Sequence, residues 1–116
     1  MKKLYIAIPY RNNPEYSFEI ANFVSAELMK KGYIVFSPIS HSHPIGLVMN
    51  KQFDHEFWMN QDLPFLKFCD ELIVICIEGW KESKGVQKEI EMAIFLHKKI
   101  TYINENSFTN FENFEI

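Results

Sequence analysis

The chain has 116 residues, of which 47% are hydrophobic and 16% aromatic, enough to bury one core without a metal or disulfide. Its formal net charge is −3, with Lys and Arg scattered along it. There is no basic stripe to follow a phosphodiester backbone, so a polymeric nucleic-acid partner is not expected.

Met1-Lys2-Lys3 leads into a short strand-like segment rather than the apolar core of a signal peptide. Leu4-Tyr5-Ile6-Ala7-Ile8, closed by Pro9, reads as a first strand buried on both faces. A loop follows from Tyr10 to Pro14. From Glu15 onward, Ile20, Phe23, Val24 and Leu28 fall at helical spacing, with Lys30 and Lys31 in the last turn and Gly32 as the stop. Tyr33-Ile34-Val35-Phe36 is a second strand, ended by Ser37-Pro38. Together these form a right-handed parallel βαβ unit.

The stretch from Ile39 to Lys51 contains Ser40-His41-Ser42-His43-Pro44 and reads as a long loop, with at most a short helix near Leu47. Phe53 to Phe68 is patterned as a helix that Pro64 breaks. Glu71 to Ile77 is the strongest strand in the chain. Cys69 and Cys76 stand at its edge and within it, too far apart to bridge, so reduced thiols and a cytoplasmic location are expected. A helix from Lys84 to His97 and a strand from Ile100 to Ile103 follow. Residues 104–116 carry Phe108, Phe111 and Phe114, an aromatic tail expected to pack on the body or on a second subunit. No apolar run reaches the roughly 20 residues of a membrane helix. The alternation predicts a single α/β domain over 1–116: three layers, doubly wound, flavodoxin- or Rossmann-like, with a four- to five-stranded parallel sheet.

Chemistry is best sought between Gly79 and Glu89, where a strand end meets a helix start, because open α/β sheets bind ligands there. At roughly 100° per residue, Val86, Ile90, Ala93, Ile94 and His97 share one face of the last helix and Glu89 flanks it. Burial there raises a carboxyl pKa, and a nearby helix N-terminus lowers it. On the residues alone, a solvated flank glutamate is the plainer reading of Glu89. Asp62, two residues before Pro64, reads equally well as a helix starter. Ser83 and Gly85 sit at a helix N-terminus, where free backbone N–H groups attract an anion, and Arg11 ends the first strand on the same side. Those positions suit a monophosphate; four glycines make neither a dinucleotide nor a triphosphate loop. His41 and His43 are too sparse a set for a metal. They read as a solvated loop, or as stacking and hydrogen-bonding groups in a ligand pocket. No metal or cofactor is expected.

Three pieces, taken in order, resemble the nucleoside 2-deoxyribosyltransferase superfamily, which includes the 2′-deoxynucleoside 5′-phosphate N-hydrolases. They are Leu4-Tyr5-Ile6-Ala7 with Arg11, Asp62 placed eight before Asp70, and Ser83-x-Gly85-x-x-x-Glu89. The likeness covers roughly residues 4 to 103 and points to a branch of small bacterial and phage proteins. It implies Glu89 as the nucleophile at the anomeric carbon, Asp62 as the group handling the proton of the leaving base, and Tyr5 as the hydroxyl orienting Glu89. It also implies Ser83 and Arg11 as holders of a 5′-phosphate. His41, His43 and Trp58 belong to this branch and would shape the base pocket. The hydrolases carry Gly-Ser where this chain has Ile8-Pro9, and Glu-Leu-Gly where it has Glu89-Ile90-Glu91. The expected activity is an N-glycosidase or N-deoxyribosyltransferase acting on a nucleoside or its monophosphate. The alternative is a nucleotide-binding sensor or sequestering module without catalysis. A homodimer or higher homo-oligomer is expected, because the superfamily completes sites across a dimer interface.

Overall fold

In the structure, a computed structural model that describes residues 1–10 and 12–108, four parallel strands make one sheet. They are β1 (Lys3–Ala7), β2 (Ile34–Phe36), β3 (Glu71–Cys76) and β4 (Lys99–Asn104), in the spatial order β2-β1-β3-β4. The helices are α1 (Pro14–Lys30), α2 (Pro38–Val48), α3 (His55–Phe68) and α4 (Lys84–Phe95). The three-layer α/β fold predicted from the sequence is therefore the fold observed, with four strands among the described residues.

Alternation along β1 builds both layers of core. Leu4 and Ile6 point to the face where Ala21, Val24 and Leu28 of α1 pack, together with Ile73 and Ile75 of β3. Tyr5 and Ala7 point to the other face, against Leu66 of α3 and Val86 and Ala93 of α4. A strand covered on both faces needs an unbroken apolar run, which β1 and β3 have.

The connections set the position of the site. From β1 the chain turns into α1 on one face and moves to β2; from β3 it turns into α4 on the opposite face and moves to β4. The carboxyl ends of the neighbouring strands β1 and β3 thus send their loops apart and open the crevice that binds ligands in doubly wound sheets. Gly79, in the loop after β3, has φ +90, and a Cβ there would lie 2.6 Å from Asn12 Nδ2 in the loop after β1. Only glycine fits this backbone and lets the two loops touch.

Three sequence expectations are corrected. Residues 39–51 are not mainly loop: α2 runs through Pro38–Val48, started by Ser37, whose side chain accepts from the Ser40 N–H, with Pro38 in the first turn. Nor does Pro64 break the helix, for α3 is continuous with Pro64 inside it, as α2 is with Pro44. Both prolines are exposed, so each ring sits on the outer side of its helix. The buried line of α4 is Val86, Glu89 and Ala93, whereas Ile94 is 62% exposed and His97 is also exposed. The helix packs on the β1 and β3 side chains Tyr5, Ala7, Leu72 and Val74, and among the described residues β4 is the edge strand, so side chains aimed past that edge meet no further described strand. Phe108 packs against Phe23 of α1, ring centroids 6.1 Å apart; Phe111 and Phe114 lie outside the described residues.

Candidate active site

Tyr5 lies in the middle of β1, fully buried on the α3/α4 face, and its hydroxyl donates a hydrogen bond to Glu89 Oε2. The two residues are 84 positions apart, brought together because α4 crosses the sheet face that Tyr5 points into. Asp62 approaches from α3, which packs on the same face. Glu89 is 5% exposed and Asp62 6%. Neither is a surface carboxylate, and Asp62 is not a helix starter: that role belongs to Asp54, which accepts from the Phe57 N–H at 3.0 Å.

Burial governs the electrostatics of this group. It pushes Glu89 up to about 8; the hydroxyl of Tyr5 opposes this and the charge of Asp62 adds to it. Burial alone pushes Asp62 up to about 6. Tyr5 is raised well above its ordinary value, first by burial and then by the two carboxylates, so it remains a donor. Glu89 stands beyond the first turn of α4, too far along for the helix N-terminus to offset its desolvation. Two carboxyls whose protons leave at separated pH values can divide acid and base roles at neutral pH.

The remaining candidates fall into two groups. Ser83 is the N-cap of α4, accepting from the Val86 N–H at 3.2 Å, which leaves its own hydroxyl hydrogen available to a ligand. Gly85 sits in the first turn, where a Cβ would make only ordinary contacts, 3.7 Å to Met59 Cε and 3.9 Å to Ser83 Oγ. The chain's own packing therefore does not demand glycine there. Arg11 lies outside the described residues. His41 and His43 are in α2, not a loop, and part company: His41 is exposed beside Phe36, while His43 is buried. Trp58 meets Phe57 edge-on at 5.0 Å and approaches Gly46 of α2, joining α2 to α3. Among the described residues no group of three His, Cys, Asp or Glu side chains could hold a metal ion.

Sequence reasoning missed one network. His43 Nδ1 lies 2.5 Å from the Tyr10 hydroxyl and Nε2 lies 3.0 Å from Glu15 Oε1, with Phe18 packed on the ring at 4.4 Å. With its hydrogen on Nε2, the imidazole accepts from Tyr10 and donates to Glu15. The network ties α2 and α1 to the loop that leaves β1. Tyr10 directly follows the first strand and could have drawn attention for that reason, but no spacing links Glu15 to His43.

Residues 2–105 match the model of a protein family described as a domain of unknown function, DUF1937. The chain belongs to this family. No curated protein matches the sequence. Among solved structures, this DUF1937 chain is similar to a 2-deoxyribosyltransferase from the psychrotolerant bacterium Bacillus psychrosaccharolyticus, with TM-score 0.70 and 19% identity over 98% of this chain and 93% of that one. It is also similar to a 2-desoxiribosyltransferase from Leishmania mexicana, with TM-score 0.63 and 20% identity over 90% of this chain and 65% of that one. At these identities the shared property is the fold, which is the one the sequence motifs implied.

Proposed function

We propose that the protein cleaves the N-glycosidic bond of a nucleoside or nucleoside monophosphate, as a hydrolase or an N-deoxyribosyltransferase, with Glu89 as nucleophile. The observation that carries this reading is the hydrogen bond from Tyr5 to a buried Glu89 with Asp62 beside it, on a fold shared with 2-deoxyribosyltransferases. A carboxylate oxygen of Glu89 attacks C1′ as the bond from C1′ to the base nitrogen breaks. The bonding electrons go to the base, and the Asp62 carboxyl supplies its proton. The resulting glycosyl ester is then opened at C1′ by water or by a second base, which gives up a proton to the Asp62 carboxylate as the bond from C1′ to the Glu89 oxygen breaks and frees the Glu89 carboxylate. Tyr5 holds one Glu89 oxygen so that the other faces the sugar.

Ser83, the first-turn N–H groups around Gly85, and Arg11 bind a 5′-phosphate in this scheme, while His41, His43 and Trp58 shape the base side indirectly through α2 and α3. The exposed apolar side chains Phe65, Phe68, Ile94 and Phe95 support a homo-oligomer. No described helix is long and apolar enough to cross a membrane, and the thiols of Cys69 and Cys76 are free, which supports a small-molecule enzyme of the cytoplasm.

Incubation with a mixed pool of nucleosides and monophosphates, read out as free base by chromatography, tests the proposal. Base release that is lost in Glu89→Ala is expected. Full activity in that variant removes Glu89 as nucleophile, and tight nucleotide binding with no base release identifies a binding module instead.

A further inference from the structure

The mouth of the site formed by Tyr5, Asp62 and Glu89 is set by the way α3 and α4 lie together. Both pack on the same face of the sheet, and Lys98, just past the end of α4, donates to the Lys67 carbonyl near the end of α3 at 3.1 Å. The two helices therefore run side by side in one direction, and their inward positions pair turn by turn. Leu66 and Ala93 share one core cluster; one turn closer to the helix starts, the charge of Asp62 acts on Glu89; one turn closer again, the methyl of Met59 reaches Gly85. Both helices start at the carboxyl ends of the strands, the side from which ligands enter an open α/β sheet. Met59 thus stands between the two carboxyls and the opening.

Met59 is partly buried, and its Cε would lie 3.7 Å from a Cβ at Gly85, with Ser83 Oγ at 3.9 Å from the same point. The space beside the first turn of α4 is bounded by a thioether methyl that reaches across from α3. A helical side chain leans over the turn before its own, so Glu89 leans over Gly85 and toward that methyl. A sugar with C1′ on Glu89 has the first turn of α4 on one side and Met59 on the other.

We propose that Met59 is a specificity-determining residue that makes this site select a nucleoside with a free 5′-hydroxyl over its 5′-monophosphate. The proposal rests on the reading of Glu89 as the group beneath C1′, with the 5′ end of the sugar at the first turn of α4, and narrows it to one of two substrate classes. A 5′-hydroxyl is small and uncharged, and the Ser83 hydroxyl can donate to it beside the methyl. A phosphate on the same donors would press a dianion against the methyl and give up water on that side with no donor in exchange. It reaches its hydrogen bonds only when Met59 turns aside, which the three rotatable bonds of the side chain allow at the loss of the contact with Gly85. The nucleoside leaves Met59 in place, packed on the sugar.

Calorimetric titration with the common ribo- and 2′-deoxynucleosides, each beside its 5′-monophosphate, tests this in Glu89→Gln, which binds without turning substrate over. At least one nucleoside is expected to bind about 10-fold or more tightly than its monophosphate. Adding Met59→Ala should narrow that ratio by about 10-fold or more through tighter monophosphate binding, the worth of a methyl group in a filled pocket. Met59→Leu, which keeps the bulk, should preserve the ratio. Circular dichroism reports whether each variant folds, and Met59→Thr is a second variant that withdraws the methyl from Gly85. The proposal is overturned by a monophosphate that binds as tightly as its nucleoside with Met59 in place, by an unchanged ratio in the shortened variants, or by no binding of any of these compounds. Base release by the wild-type protein is read separately. The expected ratio without base release overturns the assignment of Glu89 and leaves Met59 as the selector, whereas Glu89-dependent release that favours the monophosphate overturns the role of Met59 alone.

Discussion

Replacing Tyr5 with Phe removes one oxygen and leaves the ring that packs against Leu72 and Phe36, so its consequences trace to the bond with Glu89. With Glu89 at about 8 and Asp62 at about 6, the proposed reaction gives kcat/KM a bell-shaped pH profile with limbs near those two values. Between the limbs the pair holds one proton, mostly on Glu89. The reactive arrangement needs that proton on Asp62, and the gap of about two pH units between the groups makes it about one part in a hundred. A hydrogen bond to a charged group is worth about 1.5–3 kcal/mol, which at 1.36 kcal/mol per pH unit is a further rise of about one to two units for Glu89.

Tyr5→Phe is therefore expected to move the upper limb to about 9–10 and to lower kcat/KM at pH 7 by about 10- to 100-fold. The assay is base release followed from pH 5 to 10 under single-turnover conditions, which keeps product release out of the measured step. A variant whose rate falls equally at every pH, with the upper limb where it was, would show that the Tyr5 hydroxyl does not set the ionisation of Glu89. An unchanged rate at pH 7 would refute the proton arrangement as a whole.

Stability carries the same signature. Glu89 ordinarily ionises at 4.5 and in the folded chain at about 8, so the fold holds an extra proton between those values; its contribution is complete below about 4.5 and is lost as pH rises to about 8. Glu89→Gln should flatten this slope and raise the melting temperature at pH 8 but not at pH 4.5, as calorimetry can show. Ser83→Ala removes the α4 cap and should cost about 1 kcal/mol in urea unfolding, a loss that Ser83→Asp largely restores while a phosphorylated substrate, if the enzyme uses one, binds worse to both. Gly79→Ala forces a side chain into a left-handed backbone against Asn12 and should cost about 1–3 kcal/mol; adding Asn12→Ala recovers the contact but not the backbone strain.

Elements whose signal is local were legible. The four strands are apolar, β-branched runs ended by Pro, Gly or charge, and α1 has a clear helical period, so the parallel sheet and its crossover followed directly. α2 was hidden because its pattern, Pro38-Ile39-Ser40-His41-Ser42-His43-Pro44, lacks helical periodicity, and because Ser37-Pro38, which starts the helix, reads equally as the end of the second strand. For α4 the residues gave a helix but not its rotation. Ile94 looked like a core position by period, yet which side of a helix is buried depends on how far the sheet extends beneath it, and among the described residues β4 is its edge.

The same limit explains why Glu89 read as an ordinary surface residue until a resemblance singled it out. Helical phase put it only at the flank of the apolar face, where a glutamate is usually solvated, while Glu91, two positions on, is exposed. The difference arises because α4 turns the 86-89-93 line inward, and because β1 presents a tyrosine at a place where that line needs a hydrogen-bond donor. Phenylalanine at position 5 would serve the strand and the core equally well but would leave a buried carboxyl with no donor. Tyr5 and Glu89 thus make sense only together. The crossing of β1 and α4 is what converts two unremarkable positions in the sequence into one buried, coupled pair.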